Sequence, residues 1–534
     1  MRLTKVRIKN FRQIPDLDFA VRRHLVIVGP NDSGKSALIR ALNLLLATSA
    51  SQLNASFSSR DFTDLSKPIL IEAQLQEFND LERAAFPDEI ATMDRESLTI
   101  LLEVASDPSD PELFEVRRSF PFSGHPKGPS FDQLNAIGWS FVPATRQLSR
   151  ELGTGRRGII RTLLEGVELA DSLDDFSDVA NEMSRLLNEN EALASLKDDY
   201  LRSLSLALPE GITTTDLKLI TSLDLQDDPL SDVGFGLVRG DAVTPLDQQS
   251  DGFRALSTIA AYNVAHASSN IVAIDEPETH LHPTSQRTIA RLLATQANQV
   301  VIATHSSHVL SAFDIGDVLA LNRRRQGKQL DLASEAARSE FATRWWRQEL
   351  IEPLTAQGVI FVEGATERIL VEAAAAALRV SLDRLGVTIL ELGGSGGQKH
   401  ADQLLGASGF DIPISGLVDD AEVSDWATQL GVATVDLGTQ GIVVCAPDLE
   451  GMYVDFLGVD RTLQLLMASG LFTKKRILKG CGESDFSSIS SANLRAFCGG
   501  RKNKAAAVIA IGMGLTPFDA ARLFPIFRLL LHVT

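Results

Sequence analysis

The chain has 534 residues, 44% of them apolar and 22% charged, enough to build about two to four ordinary domains with large cores, which excludes a disordered or fibrous protein. Its 51 basic and 69 acidic residues leave a net charge of −18, which argues against a protein that coats nucleic acid by bulk charge, though local basic clusters or metal ions can still meet phosphates. Cys445, Cys481 and Cys498 are odd in number and widely spaced, which excludes a disulfide framework or zinc knuckle. With no signal-peptide core in MRLTKVRIKNFR and no run nearing the roughly 18 apolar residues of a membrane span, the expectation is a soluble, cytoplasmic protein with no membrane partner.

In chain order, residues 1–28 read as strands, with Val6, Ile8 and Phe11 near one alternating face. GPNDSGKS at 29–36 follows the apolar run His24 to Val28, and a helix is expected from about Lys35 to Leu46. Strands are expected at 69–75 and 98–104. Between about 155 and 210 leucines and acids recur at helical spacing, which predicts a helical insertion with a packing or dimerisation role. IVAIDEPETHLHP from Ile271 and QVVIATHS from Gln299 each read as a buried strand ending in polar residues, and 322–350 reads as a connecting segment. A new strand and helix series opens at Gly358. The expected organisation is therefore a front domain over 1–345 and a second α/β domain over 346–534. The basic clusters at 156–157, 323–325, 474–476 and 501–504 each read, taken alone, as solvated faces.

GPNDSGKS matches the P-loop pattern in the strand, loop and helix context that its chemistry needs. Gly29 and Gly34 let backbone N–H groups turn to phosphates, with Asn31 and Ser33 in the loop between them; Lys35 reaches the β and γ oxygens and Ser36 can hold Mg²⁺. IVAIDEPE supplies the partner element: four apolar residues bring Asp275 to a strand end, where it can bind Mg²⁺, and Glu276 can polarise a water. These residues resemble the ABC-class ATPases, in the branch that includes SMC proteins and the OLD nucleases. The resemblance makes DEPETHLHP a joined Walker B and D-loop and His305 in ATHSSH the switch histidine. Ser250 and Gly252 in QQSDGFRAL become the signature residues that touch the γ-phosphate held by another subunit. Gln147 is the candidate Q-loop glutamine. His280, His282, His305 and His308 also have metal-like spacing, but the D-loop and switch roles account for two of them.

The second domain places acids after successive apolar strands. Glu363 and Glu367 lie in GVIFVEGATE, Asp419 and Asp420 in GLVDDAE, Asp448 and Glu450 in PDLEG, and Lys502 and Lys504 in GGRKNKA. Strand ends of an α/β sheet meet at its carboxyl edge, where crowded carboxylates repel unless divalent ions lie between them. Oxygen-only ligands suit Mg²⁺ or Mn²⁺, two of which can activate water and stabilise a leaving phosphodiester oxygen, with a lysine steadying the phosphate charge. Any one of these acids alone reads as a helix cap or solvated loop.

The ordered set resembles a Toprim domain, and the whole chain resembles an OLD-family nuclease: an ABC-type P-loop ATPase domain with a helical insertion, then a Toprim α/β domain. The resemblance implies metal binding by Glu363, Glu367, Asp419, Asp448 and Glu450 and a catalytic lysine at Lys502 in preference to Lys504. It further implies ATP with Mg²⁺ at the first site, duplex DNA as substrate, a homodimer or larger assembly, and a role in phage defence with a helicase-like or other partner. The Toprim Asp-x-Asp pattern is broken, because Ala421 stands where the second Asp belongs. Either Asp420 or Glu422 substitutes, or one metal site is weakened. An impaired site would leave a nucleotide-gated DNA-binding or sensor protein.

Overall fold

A computed structural model describes residues 1–91, 95–107, 113–123, 127–142, 152, 159–165, 186–207, 213, 215–221, 233–239, 242–265, 269–322, 325–331, 351–393 and 397–533. The chain forms two compact units, Met1–Gln329 and Leu330–Thr534. The expected boundary at 345/346 lies outside the described residues, as does Gln147. Of the expected insertion, Ile159–Glu165 and Glu191–Ala207 are helical as the leucine spacing predicts, and much of the rest lies outside the described residues.

The first unit is built on two large sheets. The N-terminal strand Arg2–Phe11 pairs antiparallel with Ile14–Ala20 and with Ile69–Gln76, which in turn pairs with Ser97–Ser106. Val6, Ile8, Ile69, Ile71, Ala73, Leu98, Ile100 and Leu102 are all buried, the alternation expected of a sheet with one covered face. The second sheet runs in the order Gly327–Lys328, Val318–Leu321, Leu25–Val28, Gln299–Ala303, Ile271–Asp275, Trp139–Val142, parallel except at its Gly327–Lys328 edge. Leu25 to Val28 are all buried, as an unbroken apolar run in a central parallel strand requires. Helix Lys35–Leu46 packs against strands of both sheets and buries nine residues, including Leu38, Leu42 and Leu45, so it is apolar on more than one face.

One strand, Gln299–Ala303, separates the P-loop strand from the strand that ends in Asp275. Three strand ends therefore sit side by side: the P-loop, Asp275 with Glu276, and His305.

In the second unit a four-stranded parallel sheet runs in the order Val387–Glu391, Gly358–Val362, Ile414–Asp419, Ile442–Cys445. Gly358–Val362 is central and wholly buried. From Leu449 onward the unit is helical. Helix Lys504–Gly514 packs against helix Ala365–Ala377 through Leu370, Val371 and Ala374 on one side and Ala507, Val508 and Ile511 on the other. A Cβ on Gly512 would stand 3.0 Å from the Ala373 Cβ, so the two helices touch nearly backbone to backbone. Among the described residues no helix is long and apolar enough to cross a membrane.

Candidate functional site

The first site grows from the turn after Leu25–Val28. Gly29 has φ +156° and a Cβ there would lie 2.4 Å from the Leu321 carbonyl oxygen; Gly34, at φ +105°, opens the helix. No side chain fits the first position and the second is strained for any L residue, which is why the loop needs glycine at both ends. Lys35 is 6% exposed and donates to the carbonyls of Gly29 at 3.0 Å and Pro30 at 2.9 Å. Burial lowers its pKa to about 8, against the opposing pull of Glu276, Asp275 and Glu278. Such a desolvated ammonium is stabilised by any phosphate that replaces the two carbonyls. Ser33 Oγ is buried without a hydrogen-bond partner, and Asn31 is exposed on the outside of the loop.

The Ser36 hydroxyl pulls the Asp275 pKa down but burial raises it more, and Asp275 Oδ1 is buried without a hydrogen bond among the described residues. A hydroxyl and an under-satisfied carboxylate side by side beneath the phosphate loop fit a hard cation such as Mg²⁺. Glu276 takes the left-handed backbone region, φ 48°, with its N–H held by the Ala303 carbonyl at 2.9 Å. Its Oε1 lies 4.0 Å from His305 Nε2. Burial, and then Lys35, lower the His305 pKa, so the imidazole stands neutral beside that carboxylate at pH 7.

Glu278 was not singled out by sequence reasoning, yet it fixes this geometry: its Oε1 accepts from the His305 N–H at 2.6 Å. Burial raises its pKa, and its buried Oε2 meets no geometric hydrogen bond among the described residues. Its signal was a third acid within DEPE, masked by the two that the motif explains. Of the four histidines, His282 caps helix Pro283–Thr295 through Thr284, and His308 Nδ1 lies 3.5 Å from Arg287. Ser250 and Gly252 are not drawn into this P-loop. Ser250 is exposed at the start of helix Asp251–Ala265, its Oγ accepting from the Phe253 N–H at 3.4 Å, and Gly252 lies against the His280 carbonyl.

The second site lies at the carboxyl edge of the four-stranded sheet. Asp419 ends its strand, and its pKa is raised to about 7 by burial and then by Glu363 and Glu367, with Asp448 adding to the effect. Glu363 follows Val362 directly, and Glu367 caps the next helix, its Oε2 accepting from the Gly364 N–H at 3.0 Å. Asp448 caps helix Leu449–Leu457 by accepting from the Gly451 N–H at 2.6 Å. Glu450 in the first turn is 4% exposed, its Oε1 without a hydrogen bond among the described residues though near Lys504, and its pKa raised by burial. Capping and clustering thus coincide for Glu367 and Asp448, so the structural reading of each acid does not exclude the chemical one.

The lysine differs from the sequence expectation. Lys502 is exposed in the turn before its helix; Lys504 is the residue that faces the acids, its Nζ 3.9 Å from Glu367 and 3.7 Å from Glu450. The reason is the turn closed by the Asn503 and Lys504 N–H groups on the Gly500 carbonyl, which starts the helix at Lys504 itself. Burial opposes the Lys504 charge, but Glu450, Glu367, Asp419 and Glu363 outweigh it and raise the pKa. Asp420 and Ala421 are exposed, while Glu422 is 8% exposed and buried in the turn. No three His, Cys, Asp or Glu residues among those described are already drawn tightly enough together to hold a metal. The donor set nevertheless fits one: oxygen ligands only, a buried Glu450 Oε1 with no hydrogen bond among the described residues, and an Asp419 carboxyl that burial, then Glu363 and Glu367, make reluctant to ionise without more positive charge.

Fold and sites together define a P-loop ATPase joined to a Toprim domain. The family described as "AAA domain, putative AbiEii toxin, Type IV TA system" matches residues 25–311, more than half of the chain, and "Overcoming lysogenization defect protein-like, TOPRIM domain" matches 354–420. The chain belongs to that AAA family, and an OLD-like Toprim domain follows its ATPase domain. It is 24% identical to the OLD nuclease of Thermus scotoductus over 326 residues, 57% of this chain and 59% of that one. It therefore spans less than two thirds of that relative. It is 22% identical to the Old nuclease of Escherichia phage P2 over 424 residues, 69% of this chain and 68% of that one. Among solved structures, the C-terminal region of the Burkholderia pseudomallei OLD protein is 23% identical with a TM-score of 0.28, covering 33% of this chain and 96% of that one.

Proposed function

We propose that this protein is an ATP-hydrolysing, metal-dependent endonuclease that nicks or cuts duplex DNA, with the nucleotide site setting when the acid cluster acts. The observation that carries the reading is the convergence of Glu363, Glu367, Asp419, Asp448 and Glu450 with Lys504 at one sheet edge. These acids would hold Mg²⁺ or Mn²⁺, which supplies an activated water and charge stabilisation at the leaving oxygen. Lys504 donates to the phosphate oxygen on which negative charge develops, and Glu367 and Glu450 keep it protonated and aimed there. Asp419, in its deprotonated form, shares the ion load with Glu363.

At the other site the Gly29–Gly34 loop and Lys35 would cradle the β and γ phosphates, and Ser36 with Asp275 would hold Mg²⁺. Glu276, with His305 beside it, orients the attacking water. Ser250 opens an exposed helix end, which suits a γ-phosphate bound by a second copy; a homodimer or larger assembly is part of the proposal. A role in phage defence, with a helicase-like or other defence partner, is also part of the proposal.

The test is supercoiled plasmid incubated with purified protein and Mg²⁺ or Mn²⁺, with and without ATP. Metal-dependent conversion to nicked or linear DNA, lost in Glu363→Ala, is expected. ATP hydrolysis without cutting in either metal would sink the nuclease reading. Ala421 favours that alternative, a nucleotide-gated DNA-binding or sensor protein whose Toprim site is impaired.

A further inference from the structure

The second unit holds a cavity of about 500 Å³ lined by Thr473, Lys475, Arg476, Lys479, Gly480, Phe497 and Asn503. Three of these side chains are cations, and no carboxylate is among them. Lys475 and Lys479 are four apart on helix Lys474–Cys481 and share a face, so their like charges oppose the helix. Lys474, Lys475 and Arg476 all lie in its first turn, where the helix dipole disfavours positive charge. Neither arrangement serves stability. Lys474 is partly offset by Asp485 at 3.8 Å, but neither Lys475 nor Lys479 has a carboxylate partner among the described residues. Both are exposed.

Arg476 is held ready rather than neutralised. Its guanidinium stacks 4.8 Å over the Phe472 ring and donates to Asn503 Oδ1 at 2.6 Å, leaving other N–H groups free. Asn503 in turn donates to the Phe497 carbonyl at 2.9 Å. Asn503 directly precedes Lys504, so a residue of the cavity's lining is the chain neighbour of the lysine that meets Glu367 and Glu450. A volume of this size exceeds one phosphate and suits a nucleotide unit, with the Phe497 ring as an apolar wall.

We propose that this cavity seats a backbone phosphate of the DNA strand beside the one that is cut, with Lys475, Lys479 and Arg476 as its anion donors. The proposal rests on the nuclease reading, and it makes the cavity the positioning element of the substrate: a strand threaded past Asn503 enters the acid cluster in register. The lining residue Asn503 is the chain neighbour of Lys504, which favours a strand that reaches both over a free nucleotide. The overall −18 charge makes such a local cationic groove the more necessary.

The experiment uses the full chain and the exposed double substitution Lys475→Gln/Lys479→Gln. Binding of a labelled duplex is read by anisotropy in Ca²⁺ across a salt series. Cleavage is read on plasmid and, separately, on bis(4-nitrophenyl) phosphate, which has no neighbouring phosphate. Each lost phosphate contact flattens the log-log salt slope by about 0.9, so the double variant, which loses its hold on this one phosphate, is expected to lose up to about 0.9 in slope. It should nick plasmid roughly tenfold or more slowly while hydrolysing the small diester within about twofold of the native rate. An excess of ATP should not displace the duplex from the native cavity; displacement would assign it to nucleotide instead. An unchanged slope and affinity would overturn the proposal, and so would equal loss on both substrates. If the native protein cuts neither substrate yet the slope still falls in the variant, the nuclease reading fails and the cavity stands as a DNA site.

Discussion

In the proposed reading the two sites would solve one problem, holding phosphate oxygens beside a hard cation, with opposite architectures. In the first unit a single turn supplies nearly everything: Gly29 and Gly34 shape the backbone, and Lys35 and Ser36 follow in the same eight residues. Asp275 arrives from a strand separated by only one other. In the second unit no segment is sufficient. Glu363, Asp419 and Asp448 come from three different strand ends, and the cation comes from a helix that reaches them only by packing on Ala365–Ala377. A site assembled from side chains on separate elements depends on every element that carries a ligand.

The sharpest way to break that comparison is at the acid cluster. Glu363→Ala and Lys504→Ala should each lower plasmid nicking at least about 10³-fold while ATP hydrolysis stays within about twofold. Lys502→Ala should change nicking less than about threefold, because Lys502 is exposed and Lys504 makes the contacts with Glu367 and Glu450. The reverse ranking of the two lysines, in a nicking time course, would return the role to Lys502.

Next comes the first site. Glu276→Gln should slow ATP hydrolysis roughly 10²- to 10³-fold with nucleotide affinity nearly unchanged, since the carboxylate acts on water rather than on the bound phosphates. Lys35→Ala should instead cost binding, by about 2–5 kcal/mol, because it removes the buried charge that meets the phosphates. Nucleotide titration by fluorescence separates the two. A Lys35→Ala protein that still nicks plasmid would show that the second site works without the first; loss of nicking in a folded variant would show that nucleotide binding is obligatory.

The same contrast explains what was legible in the sequence. The P-loop needs particular residue types at fixed spacing, so Gly29, Gly34, Lys35 and Ser36, with the helix Lys35–Leu46, were visible without any structure. Asp275 and His305 were visible because a buried apolar run must deliver the residue that follows it to a sheet edge. Acids of the second site were visible for the same reason. Lys504 was not, because GGRKNKA fixes neither where the turn closes nor which of two lysines starts the helix. Glu278 was hidden for another reason: its work is to hold the His305 backbone N–H, a tertiary contact that no local pattern encodes. The cluster at 474–476 read as a solvated face, and only the fold sets Lys475, Arg476 and Lys479 around a cavity with Asn503.

The smallest effect concerns how acid acts on the first unit. His24 is 3% exposed, and its Nδ1 accepts from the Val300 N–H at 3.1 Å, so it is held neutral where the P-loop strand meets the strand beside it. Burial, then Arg23, push its pKa down from 6.5 to about 4. An unfolded chain binds this proton more readily than the folded one. The stabilisation is therefore complete above pH 6.5 and is lost as pH falls from 6.5 through about 4, with a ceiling of about 3 kcal/mol. His24→Asn keeps an acceptor for Val300 but cannot be protonated. It should lower stability at pH 7 through imperfect packing and flatten the pH dependence across that window, as urea unfolding at pH 7, 6, 5 and 4 would show. If native and variant lose stability in parallel on acidification, the acid response of this unit lies in groups other than His24.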